Sequence, residues 1–187
     1  MRYGTFAHVH LDRVAIPWLI LRFLDSDAQF VFVERGDEAA LADDIVTFGI
    51  PGRSTFFHDD HSTGFQKLLG HSGLDDPALH AMGRVVEAGV RHALGRPAAE
   101  DTSEHMQLLG TALDLLSLGG SLFLDDYAII ETSLPIYDAL YVSLQEHLLE
   151  PERRAQLNRL PWLDRQRALR GLLLDPRSTD KSRSRAR

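Results

Sequence analysis

Cysteine is absent from all 187 residues, which excludes a disulfide scaffold, a thiolate zinc site, a thiol nucleophile and an iron–sulfur cluster. Any tightly held metal would have to sit among imidazoles, carboxylates and water. No glycine-rich phosphate loop precedes a helix, no GxSxG is present and no HExxH occurs, so a nucleotide cofactor and serine-hydrolase chemistry fit poorly. The N-terminal segment also lacks a long apolar run. Val14 to Leu21 is apolar, but Arg13 and Arg22 bracket it, it falls far short of the roughly 20 residues of a membrane helix, and no small-residue cleavage site follows. The expectation is a cytoplasmic protein with no membrane contact.

Basic charge is scarce outside the extreme C-terminus. Residues 177–187 carry 5 of the 20 basic groups and one of the 27 acids, so the rest of the chain is strongly acidic. An acidic body argues against direct DNA binding, which needs a basic face toward phosphate. The tail, residues 175–187, reads as a basic disordered segment, with little apolar content to anchor it. A hydrophobic share of 44% and a charged share of 25% are ordinary for a globular protein, and the length suits one domain with an appendage.

Periodicity divides the chain into a strand-containing first third and a helical remainder. Residues 3–8 read as a strand, followed by a helix with Asp12 as its N-cap; Pro17 implies that this helix starts nearer Ile16 or bends. Phe30–Val33 reads as a buried strand and Asp37–Asp43 as a short helix. Ile45–Phe48 and Ser54–His58 read as strands on either side of a Pro51-Gly52 turn. Asp76-Pro77 is a helix start, and Leu79, Met82, Val85, Val86 and Val90 then recur on one face. A further helix fits Ser103 to Leu116, ended by Gly119-Gly120, and another fits Leu134 to Leu148, opened by Pro135, with Asp126 capping a shorter segment before it. Residues 151–173 read as one or two helices broken at Pro161, with Leu157, Leu160, Trp162, Leu169 and Leu172 available to dock. The fold class is α+β, a mainly helical single domain with a small β-sheet formed by the N-terminal third. Its units are 1–150, C-terminal helices over 151–174 packed on it, and the tail.

Asp12, Arg13, Arg22 and Asp25 punctuate an otherwise apolar helix. They need partners, because an unpaired buried charge costs several kcal/mol. Asp12 and Arg13 could line a polar pocket where a guanidinium fork meets an oxyanion. Arg22 has Asp25 and Asp27 within local reach, and at 100° per residue it lies opposite Arg13. His8 and His10 share a face if residues 3–10 are extended. His58-Asp59-Asp60-His61 follows a strand and offers two imidazoles and two carboxylates, nitrogen and oxygen ligands suited to a divalent transition metal; the alternative is a solvated loop. His71, His80, His92, His105 and His147 are scattered and read as surface residues. Tyr137 and Tyr141 lie on one helix face and are expected to pack on the Trp18 helix.

These segments also carry a resemblance. Asp12-Arg13 leading into Pro17-Trp18-Leu19-Ile20, then Arg22-Phe23-Leu24-Asp25 and an apolar strand, resembles the opening of the C-terminal domain of ChrB-type chromate resistance proteins. Ile50-Pro51-Gly52 with an aromatic-His pair and Phe65, Gly73 to Leu79, and Asp125-Asp126 with Tyr137 to Tyr141 follow in the same order, over roughly residues 3–148. The resemblance implies an accessory or sensing domain of chromate efflux. It also places His58 and Glu87 at polar positions of the family and His92 in the helix that faces them. Where relatives carry a cysteine and an acid after the aromatic-His pair, this chain has Thr63 and Gln66; where they carry a cysteine before Pro-Trp it has Ile16; and in the following helix it has Val86, Glu87 and Gly89.

The residues expected to hold a ligand are Asp12, Arg13, Arg22 and His10, with His58, His61, Asp60 and Glu87 as the metal set. The expected partner is a metal ion or small oxyanion, and a homodimer is a further expectation. Two other readings stand beside sensing: a metal-dependent enzyme with Asp60 or Glu87 as general base and Arg13 on an anionic substrate, and a degenerate member that acts through protein interaction.

Overall fold

The computed structural model describes residues 1–174, so the basic tail lies outside the described residues. Three parallel strands form a small sheet in the order β2-β1-β3: β1 is Arg2–Phe6, β2 Gln29–Val33 and β3 Val46–Thr47. Strand β1 is central and nearly all buried, with Tyr3 opposite both Phe30 and Val46. Seven α-helices follow or interleave among the described residues: α1 (Asp12–Leu19), α2 (Gly64–Ser72), α3 (Pro77–Ala93), α4 (Glu104–Phe123), α5 (Asp126–Leu148), α6 (Pro151–Arg159) and α7 (Trp162–Leu174). The α+β, mainly helical architecture read from the sequence is the one observed.

The core forms where α1 crosses α3 and α5. Trp18 is fully buried between Tyr137 and Tyr141, with ring centroids 6.0 and 5.7 Å away, and Phe23 meets Tyr141 edge-on at 5.3 Å. The packing of both tyrosines on the Trp18 helix is as expected. Burial drives both phenols far above their usual pKa, so they serve here as neutral hydrogen-bond donors, Tyr137 to the Leu11 carbonyl and Tyr141 to Asp76. A second small cluster of Phe6, Leu41, Ile45 and Ile50 seals the other face of the sheet.

Several boundaries depart from the sequence reading, each for a local reason. The first strand stops at Phe6, because His8 and Leu11 take left-handed backbone angles, φ 59° and 45°. Helix α1 tolerates Pro17 internally and widens downstream into a π-helical turn over Ile20–Leu24, closed by the Asp25 N–H on the Ile20 carbonyl at 2.8 Å. Asp37–Asp43 contains only a single 3₁₀ turn, and Ser54–His58 is no strand but one bridge, Phe48 to Phe56. Gly119-Gly120 and Pro135 lie inside α4 and α5 without ending or opening them. Pro161 does divide the last two helices. Leu172 is buried and the Arg165–Glu146 pair ties α7 to α5, yet Leu160 and Trp162 remain exposed.

Candidate functional site

The carboxyl end of a central parallel strand is where open α/β sheets place ligands, and here β1 runs into the loop Ala7–Leu11. Two left-handed non-glycine residues in five store strain of about 1–3 kcal/mol each, tolerable only where the surroundings over-determine the backbone. They do. Asp126 accepts from the N–H groups of His8 and Val9 at 3.1 and 2.6 Å, and Ser117 Oγ accepts from Leu11 N–H at 2.9 Å. Arg13 turns back and donates to the carbonyls of Phe6, Ala7 and His8 at 2.8, 3.2 and 2.8 Å.

Asp12 is 6% exposed and does not cap its own helix. Its carboxylate instead accepts from Gly64 N–H at 2.7 Å and Phe65 N–H at 2.8 Å, capping α2 from 52 residues away. Gly64 allows this approach, since a Cβ there would sit 2.9 Å from Asp12 Oδ2 and 2.8 Å from the Phe56 carbonyl. Burial raises the Asp12 pKa, opposed by these two N–H groups and by the neighbouring His58 and Arg13. The pKa of Arg13, which is partly buried, is lowered by desolvation. Arg22 pairs bidentately with Asp138, both contacts 2.8 Å, and not with the local Asp25 or Asp27; Asp138 also accepts from Trp18 Nε1. Asp12, Arg13 and Arg22 thus hold backbone and helices together, which corrects the expectation that Asp12 and Arg13 face an open polar pocket.

His10 lies in the strained loop, not on a strand face with His8, and its Nε2 is 3.1 Å from Asp114 Oδ1. The other oxygen of Asp114 meets His92 Nδ1 at 2.7 Å, so one buried carboxylate bridges two imidazoles. Burial lowers the His10 pKa; Asp114 raises it, and Arg13 lowers it further. The bridge depends on a close helix crossing. A Cβ on Gly110 would be 2.6 Å from Gly89 N, and one on Gly89 would be 2.8 Å from the Gly110 carbonyl, so only glycines let α3 and α4 approach one turn before His92 and Asp114. Asp114 was missed in the sequence, although the signal existed: it is the lone charge between Glu104 and Asp125.

The four residues of the expected metal set, His58, Asp60, His61 and Glu87, do line one cavity, together with Arg91 and Arg96. It is small, about 10 Å³, room for one water. Both ring nitrogens of His58 are buried and have no hydrogen-bond partner. The acidic and basic side chains of the lining are paired: Glu87 with Arg91 Nε and Gln66 Nε2, each at 3.1 Å, and Asp60 with Arg96 at 3.2 Å. Asp59 accepts from Lys67 Nζ at 2.6 Å and from the N–H groups of His61 and Ser62 at 2.9 Å, which hold its pKa far below the usual carboxylate range and fix the loop. Among the described residues no three His, Asp or Glu side chains are grouped to hold a metal ion.

The family model for the C-terminal domain of ChrB matches residues 3–144. The chain belongs to that family. It is 31% identical over 154 residues to Protein ChrB of Cupriavidus metallidurans, a match covering 82% of this chain and 42% of that protein, so the chain spans less than half the length of its curated relative. No solved structure matches it. The structure gives physical reasons for the residues at which this ChrB-type domain departs from the pattern noted above. Thr63 and Gln66 form a reciprocal capping box at the start of α2, and Gln66 also reaches Glu87. Ile16 and Val86 are fully buried core residues, and Gly89 is the α3–α4 crossing point.

Proposed function

We propose that this domain is an accessory or sensing domain in chromate resistance, and that its ligand is a small oxyanion received at the cavity beneath His58. One observation carries the reading: His58 is an imidazole with both nitrogens buried and unpartnered, set against a cavity lined by two guanidinium groups. Native proteins leave few such atoms unsatisfied, and each one calls for a water, an ion or a ligand group. Arg91 and Arg96 supply forked donors matched to an oxyanion, and a neutral or protonated His58 supplies another. At its present size the cavity takes a single water. A tetrahedral anion enters by opening the exposed Arg96–Asp60 pair, which is worth little to stability at the surface.

A cation would have to displace both arginines to gain Glu87 and Asp60 as ligands, whereas the proposed anion has to open only the exposed Arg96–Asp60 pair to meet His58 and the guanidinium groups. Family membership supports the link to chromate resistance. DNA binding is not part of this reading, in keeping with the acidic body, and a cytoplasmic setting is part of it.

The test is thermal unfolding of the full chain with chromate, sulfate, zinc, nickel and manganese. An oxyanion at a hundredfold excess over its dissociation constant should add about 2.7 kcal/mol. The gain should vanish in His58→Ala and in Arg91→Gln. Stabilisation by divalent metals alone would transfer the cavity to a metal. A flat response to every ion would overturn ligand sensing at this site.

A further inference from the structure

Helix α4 is apolar on two opposite faces. Its inward stripe of Met106, Gly110, Leu113 and Ser117 packs on the domain, and its one charge between Glu104 and Asp125, Asp114, is turned inward to the two histidines. The outward stripe is Leu108, Ala112, Leu115, Gly119 and Leu122, all exposed. A helix that is apolar all round is normally buried all round; in this chain α4 is not. Leu108, Leu115, Leu116, Leu118, Leu122 and Phe123 are between 48% and 85% exposed. That amounts to on the order of 700 Å² of apolar surface, above the patch of a typical monomer and close to the roughly 800 Å² per partner that a stable interface buries.

We propose that this face pairs, antiparallel, with the same face of a second copy of the chain. The outward residues recur at spacings of four, three, four and three, the seam of a helix pair packed by interdigitating side chains. Large and small residues alternate along it, Leu-Ala-Leu-Gly-Leu, so the pattern of large and small is the same in both directions. A two-fold axis near Leu115 therefore sets Leu108 against Leu122 of the partner copy and Ala112 against its Gly119. An isologous interface demands such self-complementarity, and an unrelated partner does not. Gly119 supplies a second argument. A Cβ there would meet nothing within 4 Å inside the chain, so the protomer gives no reason for a helix-weakening glycine in mid-helix. Close approach of a second helix does.

The absence of cysteine makes the geometry directly testable. Under mild oxidation Leu115→Cys should cross-link to itself, Leu108→Cys alone should not, and an equal mixture of Leu108→Cys and Leu122→Cys chains should form the mixed dimer. Sedimentation of the unmodified full chain at micromolar concentration should give twice the 21.0 kDa protomer mass. Leu115→Glu should return it to the protomer mass, with an unchanged circular dichroism spectrum to show that the domain is still folded. A chain that stays monomeric at high concentration overturns the proposal, as does a dimer that survives Leu115→Glu. By length and composition α4 is also apolar enough to cross a membrane. Binding of monomeric chain to neutral phosphatidylcholine vesicles, lost in Leu115→Glu, would assign the face to lipid and refute pairing.

Discussion

Two polar regions flank the start of α1, and they are built on opposite terms. In the loop Ala7–Leu11 and its supports, every charge noticed in the sequence has a partner: Asp12 holds α2, Arg13 holds three carbonyls, Asp114 holds two histidines. In the His58 cavity the carboxylates and arginines are paired with one another, and the imidazole is left over. Buried charge in a sequence therefore signals scaffold as readily as ligand. In the loop His10 Nε2 also lacks hydrogen-bond geometry, but it lies 3.1 Å from the Asp114 carboxylate, whereas both ring nitrogens of His58 are left without a partner once the fold has formed.

The contrast is broken most severely at Asp12. Asp12→Ala should cost about 3 kcal/mol or more, because it strands two buried N–H groups at the start of α2 that had charge-assisted bonds. Urea unfolding measures this as a lower midpoint at unchanged slope. Loss of less than about 1 kcal/mol would mean that water replaces the carboxylate and that the scaffold reading of Asp12 is wrong. Next in size is Gly110→Val, where the new side chain would collide with the α3 backbone; overpacking of this kind costs about 1–3 kcal/mol. The same variant should separate His92 from Asp114, seen as a changed chemical shift of the His92 ring by NMR at fixed pH.

Much of this fold was legible in the chain. The Asp76-Pro77 start of α3 was read correctly because cap and proline act locally: Asp76 accepts from Ala78 N–H at 2.7 Å and Pro77 opens the helix. The apolar spacing that follows is likewise a property of one element. Local rules failed where a distant group settled the outcome. Asp12 looked like the cap of its own helix, but its partners lie 52 and 53 residues on. Asp126 looked like a cap too; Asp125 takes that place, and Asp126 holds His8 and Val9. Gly119-Gly120 looked like a stop, yet α4 runs through it, since inward contacts of Leu113 and Ser117 outweigh the intrinsic cost of about 1 kcal/mol per glycine. At the candidate site, the HDDH cluster was visible as a pattern. Arg91 and Arg96 were not, because helix α3 and the turn after it bring them there from more than 30 residues away in sequence.

A smaller effect separates the regions by pH. Burial holds the His10 pKa below its ordinary value of about 6.5, so the folded loop accepts a proton less readily than the unfolded chain. For a depressed folded-state pKa, the contribution to stability is present above the unfolded pKa and is lost as pH falls through the folded one. Unfolding midpoints followed downward from neutrality should therefore decline through the slightly acidic range. In His10→Gln that part of the decline should flatten. An unaltered slope would show that Asp114 compensates the burial of His10 in full.

The smallest expected change in stability is the most decisive for function. His58→Leu removes two buried nitrogens that have no partner and leaves an apolar side chain of similar reach. Deleting an unsatisfied polar group can be neutral or stabilising, so the unfolding free energy should stay within about 0.5 kcal/mol of the parent or rise. The response to an oxyanion should nevertheless disappear, because the change takes away an imidazole that faces the cavity and makes no hydrogen bond in the fold. A loss approaching that of Asp12→Ala would place His58 in the scaffold, satisfied by an ordered water, and the two regions would then differ only in how far apart their partners lie in sequence.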